Sequence, residues 1–145
     1  MHCTAPKQMQ IQRYLPQTLT RVVVDTNNAD LSGILTEKHI NNLAERVGKR
    51  QAVEIVKHTR PEVTKMVDYA ETIADKQAPG IIDVANAKVE ELLGAEESRL
   101  VALAAVNPNI REDEIAFVSE TKAAVLDHLA AAQLKLDAVR VIIAT

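Results

Sequence analysis

The stretch Ala104-Ala105-Val106-Asn107-Pro108-Asn109-Ile110-Arg111-Glu112 separates two long runs of helical pattern. Pro108 has no backbone N–H and biases Asn107 away from helical geometry, so the first helix must stop at or before Asn107. Asn109 has N-cap chemistry, and Glu112 stands three residues on, at capping-box spacing. Glu112, Asp113 and Glu114 place negative charge in a first turn, where the helix dipole favours it. A connection this short makes the two helices antiparallel neighbours. A helical hairpin is therefore the element around which the chain is expected to be arranged.

The first arm of that hairpin carries Val53, Val56, Val63, Val67, Ala70, Ile73, Ile81, Val84, Val89, Leu92, Leu100, Leu103 and Val106, largely three or four residues apart. Pro61 and the Pro79-Gly80 pair are its weak points, and a kink is expected at Pro79 because Ile81 and Val84 resume the face without a slip. The return arm carries Ile115, Val118, Val125, Leu129, Ala132, Leu136 and Val139, with Lys122 at a seam position, where it is expected to snorkel. Upstream, Thr36 can cap a short helix in which Ile40, Leu43, Ala44 and Val47 recur, and a break is expected between Val47 and Arg50, around Gly48. Aromatic residues are 2% of the chain (Tyr14, Tyr69 and Phe117), so aliphatic side chains must fill the core. That suits thin helix-on-helix packing.

The first 33 residues read differently. Ile11-Gln12-Arg13-Tyr14-Leu15 alternates loosely, and Thr20-Arg21-Val22-Val23-Val24-Asp25 is β-branched and bounded by turn residues. Two strands alone are marginal in water. The run Val139-Arg140-Val141-Ile142-Ile143-Ala144-Thr145 is the other strongly β-branched segment and is expected to return and pair with them. The expected fold is thus α+β, mostly α: a long antiparallel helical hairpin with a kinked first arm, over a small antiparallel sheet of the N-terminal strands and the C-terminal strand. It is expected to form one domain, with strands and loop over 1–33, helices over 34–107, a return helix over 108–138 and a strand over 139–145.

Chemistry is sparse. With four glycines and neither a phosphate-loop nor a dinucleotide fingerprint, no backbone cradle for phosphates is expected. His2, His39, His58 and His128 share no zinc-ligand spacing with one another or with Cys3. His58 and Glu62 can share a helix face as a surface pair. Ser32, Ser98 and Ser119 have no neighbouring His-Asp arrangement. The carboxylates Glu90-Glu91, Glu96-Glu97 and Glu112-Asp113-Glu114 fall on expected solvated faces or at a helix start. Cys3, the single cysteine, reads as an inert thiol, and its isolation points to a reducing compartment. With no membrane-length apolar run and no signal-peptide core, a cytoplasmic location without membrane contact is expected.

One region departs from the chain's net charge of −3: Arg46, Lys49, Arg50, Lys57, Arg60 and Lys65, with His58, oppose Glu45, Glu54 and Glu62. The patch reads either as an ordinary solvated helix face or as a contact for an acidic partner or a phosphate backbone. The scarcity of aromatics disfavours single-stranded nucleic acid. Taken alone, the residues point to a scaffold or protein-interaction module with no catalytic, cofactor or metal site.

Four segments in order also resemble a known family. They are Ala5-Pro6-Lys7-Gln8-Met9-Gln10-Ile11-Gln12-Arg13-Tyr14-Leu15-Pro16, then Arg21-Val22-Val23-Val24-Asp25 with Asp30-Leu31-Ser32, then Leu100 through Arg111, and finally Leu136-Asp137-Ala138-Val139-Arg140-Val141-Ile142-Ile143. Together they look like the C-terminal region of the RapA family, bacterial RNA polymerase-associated proteins that are SWI/SNF-like, helicase-related ATPases. Pro61 and Pro79-Gly80 depart from that family's more evenly helical pattern. The resemblance implies a C-terminal portion of a longer chain whose ATP-binding motifs lie upstream. ATP would then belong to the parent and no cofactor to this portion. RNA polymerase core and the rest of the parent ATPase are the implied partners, with DNA as a further candidate. The expected role is a non-catalytic C-terminal domain of an ATP-dependent regulator that recycles polymerase. The alternatives are a DNA- or RNA-contacting module using the patch over 46–65, and a free-standing antiparallel coiled-coil adaptor.

Overall fold

The computed structural model describes residues 1–143; the expected C-terminal strand therefore lies partly outside the described residues, at Ala144 and Thr145. The chain divides into two compact units, each built from two stretches. The first combines Met1–Leu19 with Gln77–Lys135, and the second combines Thr20–Lys76 with the residues from Leu136 onward. Four α-helices account for the regular structure: α1 (Glu37–Leu43), α2 (Lys49–Val89), α3 (Ala95–Ala104) and α4 (Glu112–Ala130). One π-helical turn, Glu90–Gly94, joins α2 to α3.

In the first unit the Pro108 corner forms as the sequence requires. The carbonyl of Leu103 accepts from the N–H groups of Val106 (3.0 Å) and Asn107 (2.8 Å), which closes α3. The Asn107 carboxamide then accepts from the Asn109 N–H at 3.0 Å, an Asx turn. This turn corrects one detail. Asn109 is inside the bend, so extended N-cap geometry is reached only at Arg111, and the capping box between Asn109 and Glu112 does not form. The acidic first turn does form, and Arg111 Nε lies 3.2 Å from Asp113 and 3.5 Å from Glu114. α4 packs back along α3 and the π-helical turn.

The core of this unit joins Ala85 and Val89 of α2 to Val125 and Leu129 of α4, with Ala132, Tyr14 and Leu15 completing it. Val89, Val125 and Leu129 are fully sealed from solvent. Their burial supplies the main driving force for this unit, on the order of 2 kcal/mol per side chain.

The expected antiparallel sheet is absent: among the described residues there is no strand, only the isolated bridges His2–Gln133 and Val24–Asp30. Each expected strand fails for its own reason. Residues 11–15 form a 3-10 turn, Ile11–Arg13, preceded by another at Lys7–Met9. Ile11, Tyr14 and Leu15 are spaced i, i+3, i+4, and the Ile11 carbonyl accepts from both Tyr14 (3.0 Å) and Leu15 (2.9 Å), so the apolar spacing is helical rather than alternating. Residues 20–25 run extended, but their N–H groups meet a loop instead of a strand. Ser32 Oγ accepts from Val23 N–H at 2.9 Å and the Ala29 carbonyl from Asp25 N–H at 3.2 Å, while the Asp25 carboxylate closes the turn by accepting from the N–H groups of Asn27 and Ala29. The described part of the C-terminal run, 139–143, joins no ladder and is exposed. It is tied instead by Arg140 Nη1 donating to Asn41 Oδ1 at 2.7 Å.

In the second unit α1 starts where expected, with Thr36 Oγ1 accepting from the His39 N–H at 3.3 Å. It stops at Leu43, earlier than its apolar pattern suggests, and helix resumes at Lys49. α2 is helical through Pro61 and through Pro79-Gly80. Both prolines are exposed, as are Lys57 and Asp75, whose carbonyls lose a donor one turn back. Water can satisfy those carbonyls, which removes the main reason for a break.

Candidate interaction surface

Every cation of the expected patch is exposed and belongs to the second unit. Arg46 lies in the connection before α2, whereas Lys49, Arg50, Lys57, Arg60 and Lys65 are on the helix. At about 100° per residue, Lys49, Arg60, Lys57 and Arg50 share an arc of roughly 100°, and Lys65 lies farther round. The structure thus brings four of the six together. Lys57 Nζ is held 2.9 Å from Glu54, an exposed pair one turn back that contributes little to stability. His58 and Glu62 are exposed one turn apart.

The sheltered face of this part of α2 is not the one read from the valines. Ala52, Ile55, Thr59, Val63, Met66, Ala70 and Ile73 are half-buried and repeat at three and four residues. Val53 and Val56 are each 47% exposed and lie on the cationic side. The true inner face contains Ala and Thr, so its hydrophobic signal is weaker than that of the valines beside it. The signal that could have found it was the unbroken three-four spacing from Ala52 to Ile73.

The first unit presents a different set of groups. Lys122 is a seam residue of α4, and its ammonium does not merely reach solvent: it sits 2.7 Å from Glu97 and 3.5 Å from Glu90. The Lys122 and Ser119 hydrogen bonds hold the Glu97 carboxyl below its ordinary range, and the Glu97 hydrogen bond raises Lys122 in turn. Glu90 lies over Gly94, where an added Cβ would come within 2.7 Å of its carboxylate oxygen. Arg99 clasps Glu96 with Nε at 2.8 Å and Nη2 at 2.6 Å, which lowers the Glu96 pKa. These acids, read from sequence as solvated, are committed to cations of their own unit. The Cys3 thiol donates to the His128 carbonyl at 3.0 Å, and burial pushes its pKa up, away from the thiolate a nucleophile needs.

An open cleft of about 400 Å³ lies between Arg13, Tyr14 and Pro16 on one side and Val84, Ala87, Lys88 and Glu91 on the other. Of its two cations, Lys88 is engaged, with Nζ 2.7 Å from Glu91. Among the described residues no group of three or more His, Cys, Asp or Glu is placed to hold a metal ion. No helix among them is long and apolar enough to cross a membrane. What both units do offer is apolar side chains in solvent, such as Phe117 at 70% and Val106 at 79% exposed in the first, and Leu43 at 82% in the second.

Comparison with known proteins gives a consistent result. The profile of a family described as "RNA polymerase recycling family C-terminal" matches residues 1–144. The chain is 39% identical over 141 residues to the RNA polymerase-associated protein RapA of Sodalis glossinidius (strain morsitans), an alignment covering 97% of this chain and 15% of that protein. The RapA proteins of Klebsiella pneumoniae (strain 342) and Yersinia pestis (strain Pestoides F) are 39% and 35% identical over the same length and coverage. The chain therefore spans about 15% of the length of these curated relatives.

Proposed function

Because the chain belongs to the RNA polymerase recycling family and corresponds to its C-terminal region, we propose that it acts as a non-catalytic docking module of a larger RNA polymerase-associated, ATP-dependent regulator. Its work is to brace the motor or to touch polymerase, while ATP is bound and hydrolysed elsewhere in the parent. The observation that carries this reading is the apolar surface left in water. Ile34, Leu43, Val106, Phe117 and Leu136 are all more than half exposed. On each unit these are large apolar side chains that burial against a partner would stabilise.

The test uses a full-length relative with and without the segment that matches residues 1–144. Loss of polymerase retention on deletion, with ATP turnover of the parent preserved, supports polymerase contact. Equal retention removes it. ATP hydrolysis by the 145-residue chain alone would overturn the non-catalytic assignment.

A further inference from the structure

The exposed side of α2 has a pattern that its inner side does not explain. Lys49, Val53, Val56, Arg60, Val63 and Val67 are spaced four, three, four, three and four residues apart. That is the spacing of a coiled-coil seam. From Val63 onward the seam is half-buried within the second unit, but from Lys49 to Arg60 it is open to solvent. The two valines in the open part are each 47% exposed, although nothing in the fold requires apolar residues there.

Positions flanking such a seam set which partner helix is accepted. With Val53 and Val56 at the a and d positions, Arg50 and Lys57 occupy the e positions on the outer edge, and the opposite edge, Ala52 and Thr59, turns toward the unit's own interior. Lys49 and Arg60 occupy the seam positions immediately before and after the valines. The open seam is thus two apolar residues surrounded by four cations. A second basic helix would be repelled, and a purely apolar one would offer the cations no carboxylate beyond the Glu54 already beside Lys57.

We propose that this face of α2 docks an acidic amphipathic helix of a partner protein, with the partner's apolar residues over Val53 and Val56 and its carboxylates beside Arg50, Lys57 and Arg60. A nucleic-acid backbone fits less well. It offers no apolar surface to the valines, and Glu54 borders the cationic arc, where it would oppose a continuous rail of phosphates. The proposal rests on the reading of the chain as a docking module but not on polymerase being the partner.

The experiment titrates the full 145-residue chain with three probes. These are a helical peptide of about three heptads with Leu at a and d and Glu at e and g, the same peptide with Lys at e and g, and a DNA duplex of about 20 base pairs. The Glu peptide is expected to bind at least tenfold more tightly than either alternative. Val53→Ser with Val56→Ser should weaken it at least tenfold. Arg50→Glu with Lys57→Glu should shift the preference to the Lys peptide, and the milder Arg50→Gln with Lys57→Gln should lose affinity without that reversal. All four positions are exposed, so helical circular dichroism should be unchanged. Equal binding of both peptides, tighter binding of the duplex, or self-association abolished by the valine changes would each overturn the proposal. Equal polymerase retention with and without the segment in the deletion test, with peptide binding intact, would remove polymerase and leave this seam standing.

Discussion

The two units solve the problem of a nearly aromatic-free chain in opposite ways. The first seals Val89, Val125 and Leu129 between two helices and covers them with the turns that carry Tyr14 and Leu15. The second, among the described residues, buries one large apolar side chain, Ile40, and leaves Ile34, Leu43, Val53, Val56 and Leu136 largely in water. Stability is thus concentrated in the first unit and apolar surface is spent outward in the second.

The largest effect should come from the sealed core. Leu129→Ala is expected to cost about 3 kcal/mol, whereas Leu43→Ala should stay within about 0.5 kcal/mol. Urea denaturation followed by circular dichroism measures both, and equal costs would erase the contrast between the units. A smaller effect is expected at Thr36. Thr36→Ala removes the acceptor for the His39 N–H and should cost α1 about 1 kcal/mol. Amide exchange should show faster opening at Glu37–Leu43 with the amides of α4 unchanged; loss of protection in both would mean that the units do not open separately.

The smallest effect is a pH dependence in the first unit. Glu97 is held below its ordinary range by Lys122 first and Ser119 second, so its contribution is present above the ordinary glutamate value. That contribution is lost as pH falls through the lowered value. Lys122, raised chiefly by its hydrogen bond with Glu97, contributes below the ordinary lysine value and loses that contribution as pH rises through its raised value. Lys122→Met should flatten the stability profile at both extremes and leave the middle slope alone. Unchanged profiles at both ends would show that the ion pair is solvent-screened.

The sequence reading succeeded where one residue dictates geometry. Pro108 can end a helix in few ways, and the hairpin followed from it. The cap was misplaced because Asn107 and Asn109 both have turn chemistry, and the structure uses the first. The sheet does not form because loose alternation at Ile11–Leu15 and β-branched composition over 139–143 mimic strand signals without supplying a ladder. At the first site the i, i+3, i+4 spacing was the better guide. At the second, an extended run needs an open ladder edge, and the Val23 and Asp25 N–H groups that could have offered one already donate to Ser32 Oγ and the Ala29 carbonyl. The charge patch was legible because like charges stand out in a mildly acidic chain. Its valines were not, since an apolar residue at helical spacing looks the same whether it faces a core or a partner.

The bridge between His2 and Gln133, with its two hydrogen bonds of 2.8 and 3.0 Å, has a consequence for how the protein is made. His2 pairs with backbone translated more than a hundred positions later, and every residue of the second unit up to Lys76 emerges in the interval. Contacts of such long sequence separation form late and slowly. During synthesis the core of the first unit stays open until Val125 and Leu129 of α4 have emerged to meet Val89.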